Sequence, residues 1–378
     1  MNTDEGRIPP SVLLLTAAVA VIGCNSLVLS PIAPEVARSF SVSVPMVMSG
    51  TGAFGFGTAA SALLLARYID RVGAWRMLRM AFGLFALGLA ASALSSGVAV
   101  LVAGQFCAGV AAGVALPAIY ASATAIAPPG RETKTVGIVL TGWTLSMVAG
   151  VSLSAVLADW LHWRAVYGAV FLLSMGALAI LFFSSHQDTQ SREPAPSPMA
   201  ALAIPGVPPL LLACGAFMTA FYGVYGYLGD HLHEALGLPL SANGMVTLVY
   251  GLGFGGAALL DGFEHRLPNR FSLSLAFAAV CVVYLLLAVG SGSYGAVLAL
   301  TFFWGLANHF GLNLLIVRLT ARNPAKRGSI MGLNSAVTYL AAFVGSLGFG
   351  PLYAAFGFSI LNVIAAALMV VSALAAAK

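Results

Sequence analysis

Charged residues are scarce in this chain. Only 8% of its 378 residues are Asp, Glu, Lys or Arg, whereas 60% are hydrophobic, and the mean hydropathy is +0.96. A water-soluble globule needs more polar surface than this composition supplies. We therefore expect most of the surface to face lipid, and we expect no sizeable soluble domain.

Motifs of soluble enzymes are also missing. The sequence contains no G-x-x-x-x-G-K-S/T phosphate loop, no H-E-x-x-H, no G-x-S-x-G and no C-x-x-C. The missing phosphate loop argues against a pump driven directly by ATP. The four cysteines, which all fall in apolar stretches, predict neither a disulfide nor metal ligation: Cys24, Cys107, Cys214 and Cys281. We predict a protein that is not an enzyme and that has no cofactor and no bound metal.

Apolar stretches long enough to cross a bilayer are abundant, since one helix needs about 20 residues to do so. Twelve are predicted, at approximately 11–33, 45–66, 78–96, 98–126, 134–157, 164–185, 207–229, 241–262, 270–290, 293–317, 328–348 and 354–376. All Lys and Arg residues except Arg38 and Arg164 fall in alternate gaps between these spans. The positive-inside rule makes those gaps and both termini cytoplasmic. The sequence thus predicts an all-α, multi-pass protein of the bacterial inner membrane, whose net charge of +5 reflects topology and anionic lipid rather than nucleic acid.

A polar, proline-rich stretch divides the spans into six and six. We predict an N-terminal bundle at 1–185, a cytoplasmic linker at 186–206 and a C-terminal bundle at 207–378. Comparing the halves at an offset of about 194 to 196 residues reveals a weak repeat, in which Asp70 aligns with Glu264 and Gly150 with Gly345. Such repeats are typical of transporters in which two bundles rock about a site at the membrane midplane.

The loop after the second span reads RYIDRVGAWR at residues 67–76. Here the chain resembles the major facilitator superfamily, whose loop at this place is approximately G-x-x-x-D-R-x-G-R-R/K. The segment GWTLSMVAG at 142–150, followed by Trp163 and Arg164, resembles the twelve-helix drug and sugar efflux branch. Val151 and Ser152 stand where that branch usually has a proline. The resemblance covers nearly the whole chain and implies two pseudo-symmetric six-helix bundles, alternating access and proton-coupled efflux.

Charged residues at the cytoplasmic helix ends are predicted to form a gate, because carboxylate and guanidinium groups there can pair and separate as the gate opens. Gly73 permits a tight turn in this loop. Asp261 is the one acid clearly inside the predicted span limits, and we expect it to pair with loop arginines. The predicted gating set is Asp70, Arg71, Gly73, Arg76, Asp261, Arg266 and Arg270.

Candidate substrate contacts near the midplane are neutral and can form hydrogen bonds. They are Asn25, Gln105, Tyr222, Tyr225, Tyr250, Asn308, His309, Asn313 and Asn334. Many members of the efflux branch carry an arginine in the fourth span, where this chain has Gln105, and some carry an acid in the first span, where this chain has Asn25. A charge at the bilayer centre costs about 2.5 to 3.5 kcal/mol, so this set suits a small neutral, amphipathic or weakly anionic solute. His309 is either a proton carrier or substrate contact, or a neutral imidazole bonded to a neighbouring helix.

The segment Asp230-His231-Leu232-His233-Glu234 ends the seventh span. On a helix, Asp230, His233 and Glu234 would share a face. A solvated helix end, a gate and a metal site are all open interpretations, and Asp230 is a second candidate for proton coupling. We predict a monomer in membrane lipid, with a small-molecule substrate and protons as partners. Proton-coupled efflux is the leading function, while facilitated or proton-symport uptake of a small metabolite or metal complex, and a membrane sensor or channel, remain alternatives.

Overall fold

The computed structural model describes residues 9–128, 131–184, 198–257, 260, 271–323 and 326–377, and this part of the chain contains helices and no strand. Ten of its helices are long and apolar enough to cross a membrane. The membrane helices are α1 (Pro10–Phe40), α2 (Val44–Leu64), α3 (Ala74–Ala93), α4 (Val98–Ile126), α5 (Glu132–Leu145 through Ser152–Trp160), α6 (Trp163–Phe183), α7 (Val207–Asp230), α8 (Leu240–Ala257), α9 (Ser272–Gly290), α10 (Tyr294–Arg322), and α11 and α12 within Arg327–Ala376.

The ten apolar helices correspond to twelve crossings for two reasons: Arg327–Ala376 holds two crossings, and α8 is a further crossing that is not among the ten. The stretch Arg327–Ala376 contains a break at Gly357, whose φ of 74° and ψ of −173° are accessible almost only to glycine. It therefore holds two crossings, α11 (327–356) and α12 (358–376). Helix α8 has 18 described residues, about 27 Å of helix, which nearly covers the hydrocarbon layer. The predicted all-α, twelve-helix architecture is confirmed.

Helix α1 is longer than the sequence suggested. It continues to Phe40, past Pro31 and Pro34, although the predicted span ends near residue 33. Proline removes a backbone hydrogen bond from a helix interior, but Ile32, Ala33 and Val36 are fully buried and their burial offsets this cost. As a result, Glu35 lies inside the helix and not in a loop.

Two helices contain a π turn, in which one extra residue widens the helix. In α5 this turn covers Ser146–Val151, and at the end of α7 it covers His231–Ala235. The second turn changes the angular spacing of its side chains. The regular α-helix on which Asp230, His233 and Glu234 were predicted to share a face does not continue through this turn, although Asp230 and Glu234 still line one cavity.

The packing inside the two halves repeats at the offset seen in the sequence. Glycines of α2 and α4 press against each other's helix, and glycines of α8 and α10 do the same 196 residues later. The equivalent contacts, each between a glycine and a facing carbonyl, are Gly57 with Phe106 and Gly253 with Phe302, then Gly109 with Phe54 and Gly305 with Tyr250. A Cβ atom at any of these glycines would overlap the facing carbonyl, so small residues set how closely the helices approach.

The two halves meet through α1 with α7, α2 with α11 and α5 with α8. We call the membrane side at which α1 begins the terminal face, and the side at which α1 ends the distal face. Two hydrogen bonds join α1 to the α7 segment in the distal half of the interface: Ser30 Oγ to Tyr225 O at 2.5 Å and Arg38 Nη2 to His233 Nε2 at 2.6 Å. Both pairs are 195 residues apart, so equivalent positions of the repeat meet at the pseudo-twofold axis.

Candidate functional site

A small space lies between the halves near the middle of the membrane. Its volume is about 10 Å³, barely enough for one water molecule. Among the described residues that line it, none is charged: Ser26, Leu27, Ser30, Met48, Thr51, Tyr222, Tyr225 and Gly226. The halves are thus closed around an uncharged centre, and a solute would need them to separate.

The N-terminal half contains a closed pair of amides. Asn25 Nδ2 donates to Gln105 Oε1 at 3.1 Å, and Gln105 Nε2 donates back to Asn25 Oδ1 at 3.3 Å and to Ser92 Oγ at 3.0 Å. Asn25 and Gln105 are only 2% and 1% exposed. In this conformation they bond to each other across α1 and α4, so their contact with substrate stays a prediction.

The C-terminal half contains an aromatic cluster instead. Phe221 is its centre, with ring centroids of Tyr222, Tyr225, Tyr250 and Trp304 at 5.2 to 5.7 Å. The Tyr225 ring is stacked on it at an interplanar angle of 16°. Three predicted residues are therefore brought together. Phe221 has no hydrogen-bonding group and Trp304 has a single indole N–H, so neither belongs to the predicted set of polar contacts, although the i, i+1, i+4 spacing of the α7 aromatics was a usable signal.

Asn308 extends this cluster with polar atoms. Its Nδ2 donates to Tyr250 OH at 2.9 Å, while its Oδ1 is buried and has no partner among the described residues. The Oδ1 of Asn334 on α11 is also buried and has no partner among the described residues. A buried polar atom without a partner costs about 1 to 3 kcal/mol. The C-terminal half thus keeps hydrogen-bonding capacity that the N-terminal amide pair has already used.

His309 and Asn313 are partly exposed and lie one turn apart on α10. The His309 ring meets Phe254 edge to face at 5.1 Å, and Phe254 is stacked on Tyr250 at 6.2 Å. His309 therefore lies beside the aromatic cluster rather than within it. Its role in proton coupling stays a prediction.

The charged motif after α2 lies at the terminal face. A short helix, Ile69–Val72, ends at Gly73, whose φ of 99° suits glycine, and α3 begins at once with Arg76 in its first turn. This agrees with the tight turn expected there. The side chain of Asp70, together with Asp261, Arg266 and Arg270, falls outside the described residues, so the proposed gate they would form with Arg71 stays a prediction.

A larger cavity of about 410 Å³ opens between the halves at the distal face, lined by Pro34, Ala37, Arg38, Ser41, Val42, Val44, Asp230 and Glu234. Tyr353 OH donates to Asp230 Oδ2 at 2.7 Å. The Glu234 side chain is 65% exposed. No group of three or more His, Cys, Asp or Glu is placed to hold a metal in the part of the chain that the structure describes.

Glu35 is a half-buried acid that sequence reasoning missed, because α1 was expected to end before it. Its Oε1 accepts from the backbone N–H of Trp163 at 3.2 Å, where α6 begins, and lies 3.9 Å from His162 Nε2. A carboxylate is favoured at a helix N-terminus. We therefore read Glu35 as a tie between α1 and α6 within the N-terminal half.

Known membrane transporters are similar to this chain over most of its length. A profile of the Major Facilitator Superfamily matches residues 15–346. The chain is 28% identical to the uncharacterized MFS-type transporter YwfA of Bacillus subtilis, covering 95% of this chain and 89% of that protein. It is 27% identical to a chloramphenicol resistance protein of Streptomyces lividans, covering 92% and 93%. Among solved structures, a D-xylose–proton symporter superposes with a TM-score of 0.79 at 16% identity, covering 97% and 96%, which shows a shared fold.

Proposed function

Because the chain belongs to the major facilitator superfamily of membrane transporters, we propose that it moves a small neutral or amphipathic solute by alternating access, as proton-coupled efflux. In this cycle the halves separate first at one face and then at the other around the central space. The closed distal half of the interface corresponds to one end of the cycle. The arginine-rich loops support a cytoplasmic terminal face and an external distal face.

The aromatic cluster around Phe221 carries the proposal about substrate class. Its rings offer stacking surface, and the Oδ1 atoms of Asn308 and Asn334 are acceptors that a hydroxyl or N–H group of a solute would satisfy. The uncharged lining of the central space favours a solute without strong charge, since a fixed charge there would be costly to insert and would reject neutral compounds. A planar, mostly apolar solute with one or two hydrogen-bond donors fits best.

The efflux direction rests on the chloramphenicol resistance protein of Streptomyces lividans, since resistance to a compound is a property that export explains. Proton coupling is assigned to His309 and Asp230. If His309 carries the proton, His309→Gln abolishes the response of transport to a pH gradient. Transport that still followed the gradient in this variant would remove His309 from the role.

Purified protein is first screened by thermal shift, because a ligand that binds the folded state raises its stability. Each stabilising solute is then tested in proteoliposomes for saturable counterflow. Phe221→Leu removes the central ring of the cluster, and we expect its KM to rise about 2- to 13-fold, which corresponds to the roughly 0.5 to 1.5 kcal/mol of one aromatic pair. Phe303→Leu on α10 is the matched control, because that ring is 55% exposed on the outside of the bundle.

Two results would contradict the proposal. Absence of saturable counterflow for every stabilising solute would argue against a carrier. Equal KM values for Phe221→Leu and Phe303→Leu would remove the aromatic cluster from substrate binding, while leaving transport itself intact.

A further inference from the structure

We infer that His233 is a proton-binding site at the distal face, and that its protonation releases the hydrogen bond that joins the two halves there. The inference rests on the proposed alternating-access function, because it concerns which step of that cycle responds to external protons. It assigns to His233 a role different from proton transport by His309: the proton comes from, and returns to, the distal side.

The two contacts of the His233 ring fix its charge in this conformation. Nε2 lies 2.6 Å from Arg38 Nη2, and Nδ1 lies 2.8 Å from the carbonyl oxygen of Leu238. A guanidinium group can only donate, and a carbonyl oxygen can only accept. Nε2 must therefore carry the lone pair and Nδ1 the hydrogen, so the closed distal contact requires neutral His233.

Protonation changes one of these contacts and leaves the other. The Nδ1–H bond to Leu238 is kept, so the ring stays on its own turn. Nε2 becomes a donor and can no longer accept from Arg38, and two positive groups then face each other across the halves. Glu234 Oε1 lies 3.9 Å from Nε2, and a small rotation of the Glu234 side chain would let it accept the new N–H.

The surroundings make His233 the group that responds. Arg38 faces it from α1, Asp230, His231 and Glu234 lie on its own segment, and Tyr353 of α11 bonds to Asp230. Helix α8 packs against the turn and carries no ionisable side chain except Tyr250 in its described length. Of these side-chain types, only histidine ordinarily changes charge between pH 5 and 8, and of the two histidines only His233 bonds across the halves, since His231 bonds to Ser291 O within its own half.

Protons can reach His233 from the distal side. Its side chain is 24% exposed, and its partner Arg38 lines the distal cavity of about 410 Å³. His233 and Arg38 also occupy equivalent positions at the pseudo-twofold axis, 195 residues apart. Any opening of the distal face must separate them, so the charge on His233 bears directly on that step.

The test measures the separation of the halves by double electron–electron resonance. Spin labels are placed at Leu161 and Phe356, which are each 69% exposed at the distal face of opposite halves, in full-length protein whose native cysteines are replaced by alanine. For the wild type we expect longer distances to gain population between pH 8 and pH 5. Uptake of one proton allows at most a tenfold change in the population ratio per pH unit.

Three variants make the test specific. His233→Gln stays neutral and keeps an acceptor for Arg38, so we expect the short distance at both pH values. His233→Arg is always positive, so we expect the long distance at both. His231→Gln is the matched control on the same turn, since His231 bonds to Ser291 O within its own half and stacks on Phe358; it should shift with pH as the wild type does.

A pH-dependent shift that persists in His233→Gln would overturn the inference, as would its loss in His231→Gln. Counterflow at fixed pH separates this outcome from failure of the proposed function. Saturable counterflow without any pH-dependent distance change would overturn the role of His233 and leave the transporter proposal standing. A His233-dependent distance change without counterflow would support the role of His233 and overturn the transporter proposal.

Discussion

Gly55 lies where α2 of one half crosses α11 of the other, and adding a methyl group there should force the two apart. A Cβ atom at this position would lie 2.6 Å from Tyr339 O, 3.1 Å from Phe343 N and 3.2 Å from Ala342 Cβ. An ordinary carbon–oxygen contact is about 3.3 Å or more, so α11 would have to retreat by roughly 0.7 Å. Such overpacking costs about 1 to 3 kcal/mol.

This cost applies only while α2 and α11 are in contact at Gly55, because separation of the halves removes the clash. Gly55→Ala should therefore shift the ratio of open to closed protein by about 5- to 150-fold, with little loss of thermal stability. The distance distribution between labels at Leu161 and Phe356 measures the ratio. Thermal unfolding in detergent measures the stability.

Two glycine variants serve as controls. Gly109→Ala creates a clash with the Phe54 carbonyl inside one half, which opening cannot relieve, so it should lower the unfolding temperature without changing the distances. Gly83 has no atom within 4 Å of an added Cβ, and Gly83→Ala should change neither quantity. If Gly55→Ala lowered the unfolding temperature as Gly109→Ala does and left the distances unchanged, the idea that this contact opens during the cycle would be refuted.

Three further variants probe other parts of the molecule. Gln105→Leu leaves the buried Asn25 amide without partners and should cost about 1 to 3 kcal/mol, seen as a lower unfolding temperature; an unchanged temperature would mean that the amide pair is not formed. Tyr250→Phe frees Asn308 Nδ2, so the KM for solute should change several-fold while unfolding moves by no more than about 1 kcal/mol. Equal KM values would place this pair away from solute. Gly357→Ala forces a side chain into a backbone region used almost only by glycine and should cost about 1 to 3 kcal/mol; normal stability would contradict the break between α11 and α12.

The architecture was predictable because a bilayer imposes one length on every crossing and because basic residues mark alternate loops. The glycine contacts were implied as well: Gly57 and Gly109 recur as Gly253 and Gly305 at the repeat offset. The end of α1 was not predictable, because Pro31 and Glu35 are typical of loops. Only the structure shows that their neighbours Ile32, Ala33 and Val36 are buried.

The candidate site was predictable only in part. Sequence hydropathy gives the depth of a residue in the membrane but not the side of the helix on which it lies. Asn25 and Gln105 are buried among the helices, yet their side chains bond to each other. Phe221 was not singled out, because a phenylalanine in a membrane span is unremarkable until the rotation of α7 brings its neighbours around it.

The meeting of equivalent positions at the axis limits what a duplicated gene could build there. If both halves were identical copies, Arg38 would face a second arginine, or His233 a second histidine, and neither arrangement gives the bond between a permanent cation and a neutral ring. The distal contact therefore exists because the two copies have diverged at this position. A chain engineered from two N-terminal halves would place arginine against arginine at the centre of its own symmetry.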